Sequence, residues 1–207
     1  MSKLIYLLSN SVELLHKAEV GSEYYKVYLN DLHKGTRHNS NLYGEGRMLL
    51  MSSFDLADVV GFANARWNSK YAHLATRLEH FTNYADLVTP TTVYAPWTCK
   101  SGWLSHTLQV HPTMKNLLDE LSEFAGIPLR DDSPTLWAND LVASREVIES
   151  WLAFWRKCFM HFDGKYGALL PMAYYNMDPA RGPAYFYERV SALYFASRSD
   201  LNIIQIL

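Results

Sequence analysis

The sequence predicts an α/β fold in which a central sheet, mixed but mostly parallel, is flanked by helices on both faces. Short apolar runs that suit buried strands alternate along the chain with amphipathic stretches that suit helices. Hydrophobic residues make up 49% of the chain and charged residues 19%, as in folded globular proteins. Its 207 residues can bury a sizeable core, and a single domain over residues 1–207 is the expectation.

Charge and cysteine content narrow the class of protein. The net charge is −2, and the chain has no basic run of the kind that binds a nucleic-acid backbone. Cys99 and Cys158 are too few for a disulfide framework and match no zinc spacing, which suits a reducing compartment. The apolar run at residues 4–8 is too short for a signal sequence or a membrane span. We expect a cytoplasmic protein without a nucleic-acid partner or a membrane span.

The first strand is predicted at residues 3–8, and it ends in Ser9, Asn10 and Ser11. Small polar residues at this place either contact a nucleotide or cap the helix that follows. The cap is the favoured interpretation, because Ser11 precedes a short helical stretch at residues 12–18.

A second strand is predicted at residues 23–32, followed by a polar loop at residues 33–43. Residues 44–53 are predicted to be helical, with Glu45 and Arg47 near the helix N-terminus. A carboxylate such as Glu45 is favourable there because of the helix dipole.

The stretch at residues 56–67 combines a buried strand with an unusual ending. The apolar run is followed by Asn64, Arg66 and Trp67 in place of ordinary turn residues. In open α/β sheets ligands bind beyond the carboxyl ends of strands, so Asn64 and Arg66 are predicted to face a ligand. The alternative is that Arg66 is a solvated surface residue and Trp67 fills the core.

The second half of the chain continues the alternation of strands and helices. An amphipathic helix is predicted at residues 70–84, one or two short strands at 87–93, and a loop passing into a helix at 97–110. The next predicted elements are a helix at 112–124 that ends at Gly126, a strand at 136–143 and a helix at 146–160. The chain then has loops at 161–167 and 176–182, a helix at 185–197 and an edge strand at 201–207.

Carboxylates in this half supply candidate catalytic residues. Asp140 lies inside the predicted strand at residues 136–143, where burial of a charge is costly unless the charge is paired or serves a site. Asp132 lies on a preceding loop, and Glu188 lies in the first turns of the last helix. For Glu188 the alternative interpretation is a structural ion pair with a nearby arginine.

Several short motifs together resemble a known family. They are Asn41, Tyr43 and Glu45, then Val60-Gly61-Phe62 with Arg66, then Trp137, Asn139 and Trp151, and finally Glu188-Arg189. In this order the chain resembles small GT-A-type glycosyltransferases of bacterial capsule and surface-polysaccharide clusters and of large algal (chlorella) viruses.

The resemblance implies a GT-A-like fold and transfer of a hexosyl or deoxyhexosyl group from a nucleotide-diphosphate sugar to a glycan or glycoprotein acceptor. The expected donor is UDP-linked. The resemblance adds capsule or capsid glycan synthesis as the setting, and the expected cytoplasmic location becomes the host cytoplasm if the source is viral. The chain departs from the family at the Asp-x-Asp that usually holds a divalent metal, since this slot reads Asn64-Ala65-Arg66. One possibility is that the metal, Mn²⁺ or Mg²⁺, has other ligands, such as the Asp131/Asp132 loop, Asp163 or His161. The other is that Arg66 neutralises the diphosphate directly.

The candidate residues then divide by role. The nucleotide and diphosphate candidates are Ser9, Asn10, Arg47, Asn64, Arg66 and Lys100, and the catalytic candidates are Asp140, Asp132 and Glu188. Two rival functions stay open. One is a non-catalytic carbohydrate- or nucleotide-binding module, and the other is a hydrolase that uses His161 and Asp163.

Overall fold

The computed structural model describes residues 1–9, 11–18, 20–22, 24–28, 57–74, 77–167 and 182–206. The predictions for residues 33–43, 44–53 and 176–181 lie outside the described residues. So do Asn10, Arg47 and the first motif of the resemblance, formed by Asn41, Tyr43 and Glu45.

The described strands form a six-stranded sheet with the order β2-β1-β3-β7-β4-β8 and a separate two-stranded sheet, β5-β6. Their bounds are β1 Lys3–Ser9, β2 Tyr24–Tyr28, β3 Val59–Asn64, β4 Thr92–Ala95, β5 Thr98–Cys99, β6 Thr135–Leu136, β7 Leu141–Ser144 and β8 Asn202–Gln205. β7 runs antiparallel to both of its neighbours, and the other pairings of the large sheet are parallel. The predicted mixed, mostly parallel α/β fold is therefore confirmed.

The described helices cover both faces of the large sheet, as the sequence predicts. Their bounds are α1 Val12–Lys17, α2 Trp67–Lys70, α3 His80–Ala85, α4 Trp103–Val110, α5 Lys115–Ala125, α6 Arg145–Tyr166 and α7 Gly182–Ala196, with 3₁₀ turns at Ala72–Leu74 and Pro112–Met114. Alternate residues of β1 enter different cores. Tyr6 and Leu8 pack with residues of α4 to α7, whereas Ile5 and Leu7 pack with residues of α1 to α3.

Several predicted ends of elements are confirmed. β1 begins at Lys3 as predicted, and the Ser11 hydroxyl caps α1 by accepting a hydrogen bond from the Leu14 N–H at 3.3 Å. Gly126 ends α5 in the left-handed conformation, with φ of +66°. β8 lies at one border of the large sheet, as expected of the last apolar segment.

The prediction of one helix at residues 70–84 is wrong. α2 ends at Lys70, a 3₁₀ turn follows, and α3 begins at His80. Two short helices fold onto one another here, because the Trp67 ring contacts both Tyr71 and Phe81, with centroids 4.9 and 4.8 Å apart. The buried apolar residues with helical spacing belong to one core cluster, but they do not lie on one continuous helix.

The prediction of one continuous strand at residues 136–143 is also wrong, because the structure has two short strands there. This stretch is divided into β6 and β7 by a bent segment at residues 137–140, where the Trp137 N–H donates to the Trp97 carbonyl at 3.1 Å. Asp140 therefore stands immediately before β7 and is not inside a strand.

The loop predicted at residues 161–167 is helical as far as Tyr166, so α6 is six residues longer than predicted at its C-terminal end. Aromatic packing explains the extension. His161 stacks on Phe124 of α5 with centroids 3.9 Å apart, and Phe162 is fully buried beside Phe186 of α7.

Candidate functional site

The sheet brings several candidate residues to one border, which we name the carboxyl edge. β1, β2, β3, β4 and β8 are mutually parallel and end there, and the antiparallel β7 begins there. The register pairs Leu8 with Asn64 and Phe62 with Leu141. Ser9, Asn64 and Asp140 are consequently neighbours along this edge.

Ser9 uses its hydroxyl locally. The hydroxyl donates to the Ser11 carbonyl at 2.9 Å and accepts from the Ser11 N–H at 3.0 Å, and the residue is buried. These bonds hold the turn that leads into α1, as the cap interpretation expects. Ser9 lies at the carboxyl edge, with its described hydrogen bonds directed to the protein itself.

Asn64 and Arg66 form a tight turn after β3. The Asn64 side-chain oxygen accepts from the Arg66 N–H at 2.9 Å, and the Arg66 carbonyl accepts from the Lys70 N–H at 2.8 Å to begin α2. The Arg66 side chain is exposed, and within the described ranges nothing forms a hydrogen bond or ion pair with its guanidinium. Ala65 and Asn68, but not Arg66, line a neighbouring cleft of about 580 Å³.

Asp140 is the buried charge of the carboxyl edge. Its side chain has no solvent exposure, and its Oδ2 accepts from the Lys70 ammonium at 2.7 Å and from the Tyr71 hydroxyl. Two donors on one oxygen compensate for the loss of hydration of a buried carboxylate. Sequence reasoning identified Asp140 but missed Lys70 and Tyr71, and the available signal was their position one helical turn after Arg66.

A group of aromatic rings lies at the same edge. Trp97 follows β4 and Trp137 precedes β7, with ring centroids 6.2 Å apart. The His106 ring lies 4.9 Å from Trp137, the His73 ring 5.9 Å from Trp97, and the Arg189 guanidinium 5.1 Å from the Trp137 ring. The sequence marked Trp137 within the family resemblance but did not show that these rings meet, because four separate segments supply them.

Glu188 and Arg189 reach this group from α7. The Glu188 carboxylate is 25% exposed and lies 3.7 Å from the Arg189 guanidinium, whereas Arg189 is buried. The ion pair matches the structural alternative for Glu188. Because Arg189 also contacts the Trp137 ring, Glu188 is linked to the aromatic group through this arginine.

His111 completes the surroundings of Arg189. The imidazole is buried and stacks on Tyr185 with centroids 5.4 Å apart. Burial, and then the positive charges of Arg189 and His106, lower the pKa of His111 to about 4. The ring is therefore neutral near pH 7 and adds no further cation beside Arg189.

Asp132 and Lys100 are not brought to Asp140 by their described contacts. Asp132 is exposed, and its ion pair with Arg130 at 2.9 Å lowers the pKa of the carboxyl. Asp131 caps α4 by accepting from the Leu104 N–H at 2.8 Å. The Asp132 loop lines a cleft with residues 197–199, next to the amino end of β8, and Lys100 is exposed just after β5.

The described residues do not fit a divalent cation. Among them no three His, Cys, Asp or Glu side chains converge. Asp140 already binds an ammonium group, Asp131 caps a helix, and the His161 Nε2 lies 3.3 Å from a Glu120 oxygen. His161 and Asp163 are two residues apart on α6 and so project from different sides of the helix, which does not support the hydrolase interpretation.

No helix in the described part of the chain is both long enough and apolar enough to cross a bilayer.

Comparison with known proteins gives one informative likeness. No family model matches the sequence, and no curated protein matches it. The solved apo structure of WbbM, a bifunctional glycosyltransferase, is similar to this chain with a TM-score of 0.61 and 12% sequence identity. The similarity covers 99% of this chain and 44% of the WbbM chain, so this chain spans less than half of that protein's length. The chain therefore shares its α/β fold with part of a glycosyltransferase.

Proposed function

We propose that the chain is a glycosyltransferase that moves a sugar from a UDP-linked donor to a glycan or glycoprotein acceptor. One observation supports this most strongly. The carboxyl edge gathers an exposed guanidinium, a lysine–aspartate pair and a half-buried glutamate beside aromatic rings, in a fold shared with a glycosyltransferase. These are the groups needed for a diphosphate leaving group and for sugars. Synthesis of a capsule, surface-polysaccharide or capsid glycan is the corresponding biological setting.

Arg66 and Lys70 are the proposed contacts of the diphosphate. The exposed guanidinium of Arg66 offers forked donors that match phosphate oxygens. Lys70 lies one helical turn after Arg66, at the end of α2. Its side chain is 31% exposed although its ammonium contacts Asp140. Ser9, Asn10 and Asn64 are the proposed nucleotide contacts, and Arg47 and Lys100 are further diphosphate candidates.

Glu188 is the proposed general base if the reaction inverts configuration. Asp140 is fully buried and its Oδ2 is held by two donors, so it is better suited to position Lys70 than to receive a proton. Asp132 is paired with Arg130 at the protein surface. Glu188 is partly exposed and lies 3.7 Å from its cation, which leaves its oxygens accessible.

The chemical step then balances as follows. The acceptor hydroxyl gives its proton to the Glu188 carboxylate while its oxygen bonds to the anomeric carbon of the donor sugar. The bond from that carbon to the diphosphate oxygen breaks, and its electron pair leaves with the diphosphate. Arg66 and Lys70 stabilise the negative charge that develops on the leaving group.

Mn²⁺ or Mg²⁺ is a proposal that comes only from the family resemblance. The described residues do not fit such an ion, and no step above depends on one. Metal dependence is therefore measured as a separate variable in the test.

The test is thermal unfolding in UDP, GDP and CDP, each with and without Mn²⁺. We expect UDP alone among the nucleotides to raise the melting temperature, since a ligand at 100 times its Kd stabilises the folded state by about 2.7 kcal/mol. Arg66→Ala should weaken UDP binding, and Arg156→Ala, an exposed arginine on α6, is the matched control. If Arg66→Ala leaves the UDP affinity unchanged, the placement of the diphosphate is wrong.

A non-catalytic carbohydrate- or nucleotide-binding module is the second candidate. It is favoured by the pairing of Asp140 with Lys70, which occupies the buried carboxylate. Stabilisation by free sugars without any response to nucleotides would support this module. Release of UDP from a UDP-sugar, on its own or with an acceptor, would support the transferase.

A further inference from the structure

A buried amide without a partner lies at the carboxyl edge. Asn139 is only 1% exposed, and neither its side-chain oxygen nor its side-chain nitrogen has a hydrogen-bond partner in the described part of the chain. Leaving such a group unpaired is costly, and native proteins rarely do so without a bound water, ion or ligand. Asn139 lies between Trp137 and Asp140 in the bent segment that precedes β7.

Trp137, two residues before Asn139, belongs to a group of rings that we name the tryptophan ledge and define by Trp97, Trp137 and His106. Trp97 is 41% exposed, although large aromatic residues are usually well buried. The hydrogen bond from the Trp137 N–H to the Trp97 carbonyl, at 3.1 Å, fixes the backbones that carry the two indoles. His106 and Arg189 contact the Trp137 ring at 4.9 and 5.1 Å and hold its orientation.

The chemistry of the tryptophan ledge suits an uncharged sugar ring. Indole faces bind the apolar C–H face of a pyranose, and the imidazole and amide groups can exchange hydrogen bonds with its hydroxyls. The cations that suit a diphosphate, the exposed Arg66 and the partly exposed Lys70, come from a different segment, the turn after β3. Glu188 is linked to the tryptophan ledge through Arg189, which brings the proposed base to the same side as the sugar.

We propose that the tryptophan ledge binds a pyranose ring of the acceptor glycan and that the Asn139 amide hydrogen-bonds one of its hydroxyls. This assignment rests on the proposed transferase function, and it names the substrate and residues of the acceptor side. Trp97 supplies the stacking surface, and Asn139 supplies the selection for a hydroxyl at one position of the ring.

The first experiment observes the rings directly. The full chain is labelled with 5-fluorotryptophan, and the ¹⁹F signals of the two ledge tryptophans are assigned with Trp97→Phe and Trp137→Phe. The probes are methyl β-D-galactopyranoside and methyl β-D-glucopyranoside, whose axial C–H bonds form an apolar face, and UDP in a separate titration. We expect at least one glycoside to move the Trp97 and Trp137 signals while that of the fully buried Trp155 stays in place.

The second experiment measures glycoside affinity in variants. Trp97→Ala should weaken binding about fivefold, as loss of an aromatic stacking contact does. Leu87→Ala is the matched control, because Leu87 is also a large exposed apolar residue and lies at the other end of β4 from Trp97. Its affinity for the glycoside should equal that of the unaltered chain.

Asn139→Leu separates a binding role from a structural role. Leucine has the same number of side-chain heavy atoms, and it removes two unpaired polar atoms from a buried place. We expect the melting temperature to rise or stay unchanged while the glycoside affinity falls about tenfold. If leucine does not fit, Asn139→Ala gives the same comparison with a smaller side chain.

The outcomes distinguish this inference from the proposed function. The inference is overturned if Trp97→Ala and the Asn139 variants keep full glycoside affinity, or if UDP in place of glycosides moves the ledge signals. It is also overturned if Asn139→Leu and Asn139→Ala both unfold the chain, since the amide would then be structural. Glycoside binding at the ledge together with no UDP binding anywhere would sustain the ledge as a sugar site and defeat the transferase.

Discussion

Asp140 carries a charge that water cannot reach, so its stability contribution depends on Lys70. The ammonium lies 2.7 Å from Oδ2, and the Tyr71 hydroxyl donates to the same oxygen. Removing one member of a buried ion pair lowers the free energy of unfolding more than replacing both members does, because the remaining charge stays buried without compensation.

Lys70→Met should therefore destabilise the fold by about 3 kcal/mol, measured as the free energy of unfolding in urea. Lys70→Met/Asp140→Asn, in which neither charge remains, should recover part of the loss. Lys115→Met is the control, because the exposed pair of Lys115 with Asp119 on α5 contributes at most about 0.5 kcal/mol. Equal losses for Lys70→Met and Lys115→Met would contradict this account of Asp140.

His111 gives the fold a predictable response to acid. Its pKa is lowered to about 4 in the folded state, chiefly by burial, and the unfolded value is about 6.5. The unfolded chain therefore binds more protons between these values, so stability should fall as the pH decreases from about 6.5 to 4. His111→Phe keeps a ring beside Tyr185 and removes the titration, and it should flatten this part of the curve of unfolding midpoint against pH.

Tyr185→Phe is the control for that curve, since it keeps the ring that stacks on His111 and should preserve the acid slope. A slope in His111→Phe as steep as that of the unaltered chain would assign the acid response to other groups.

At the residue scale, the sequence identified a site residue where burial of its charge would be costly in free energy. A carboxylate next to an apolar run is unusual, so Asp140 could be selected from the sequence. Its partner Lys70 was missed, because Lys70 is 70 positions away and its place one helical turn after Arg66 gives only a weak signal. The meeting of Trp97 with Trp137 was not predicted, because the two residues are far apart in the sequence and tryptophans in an aromatic-rich chain are usually core residues.

At the scale of elements, β3 and α3 approach closely at Gly61. A Cβ atom placed on Gly61 would lie 2.9 Å from the Phe81 ring and 3.3 Å from Ile5. The glycine is thus required by the packing of α3 onto the sheet. This gives a physical reason for a glycine that the sequence marks only as part of the Val60-Gly61-Phe62 motif.

Gly61→Ala should destabilise the fold by about 2 kcal/mol, since overpacking of a core costs this much, measured by urea denaturation. Gly61→Ala/Phe81→Leu should be less destabilised than the sum of the two single changes, because leucine at position 81 leaves room for the alanine methyl group. Gly164→Ala on α6 is the matched control, because nothing lies within 4 Å of its added Cβ and alanine favours a helix. A loss from Gly61→Ala no larger than that from Gly164→Ala would be inconsistent with the close contact.

Element prediction was accurate where the local chain decides the outcome. β1, the Ser11 cap and the Gly126 stop depend on neighbouring residues and were predicted correctly. The continuous helix at residues 70–84 and the continuous strand at residues 136–143 were wrong. In both places tertiary contacts of tryptophan, through Trp67 and Trp137, set the local path of the chain.

For the whole molecule, we propose that residues 1–207 form one domain. β7 pairs with β3 on one side and with β4 on the other, so the two parts of the large sheet share one strand. We expect a single urea transition in which far-ultraviolet circular dichroism and tryptophan fluorescence coincide. Two separated transitions would show that the two parts fold independently.

The fold class followed from the alternation of apolar runs and amphipathic stretches, which is a property of the sequence as a whole. The strand order did not, because β7 pairs with strands that precede it by many residues, and no local pattern reports such pairing. The candidate site was predicted in part. Strand ends indicated the correct border of the sheet, but the rings that complete it come from segments far apart in the sequence.

The place of β7 between two earlier strands has a consequence for folding during synthesis. A ribosome releases β1, β3 and β4 first, and until Ser144 has emerged, the neighbouring borders of β3 and β4 have no strand between them. Such unpaired borders readily associate with other chains. Emergence of β7 therefore joins β3 to β4, while the other border of β4 stays unpaired until β8 has also emerged. A ribosome that stalls before β7 leaves a product that chaperones must protect.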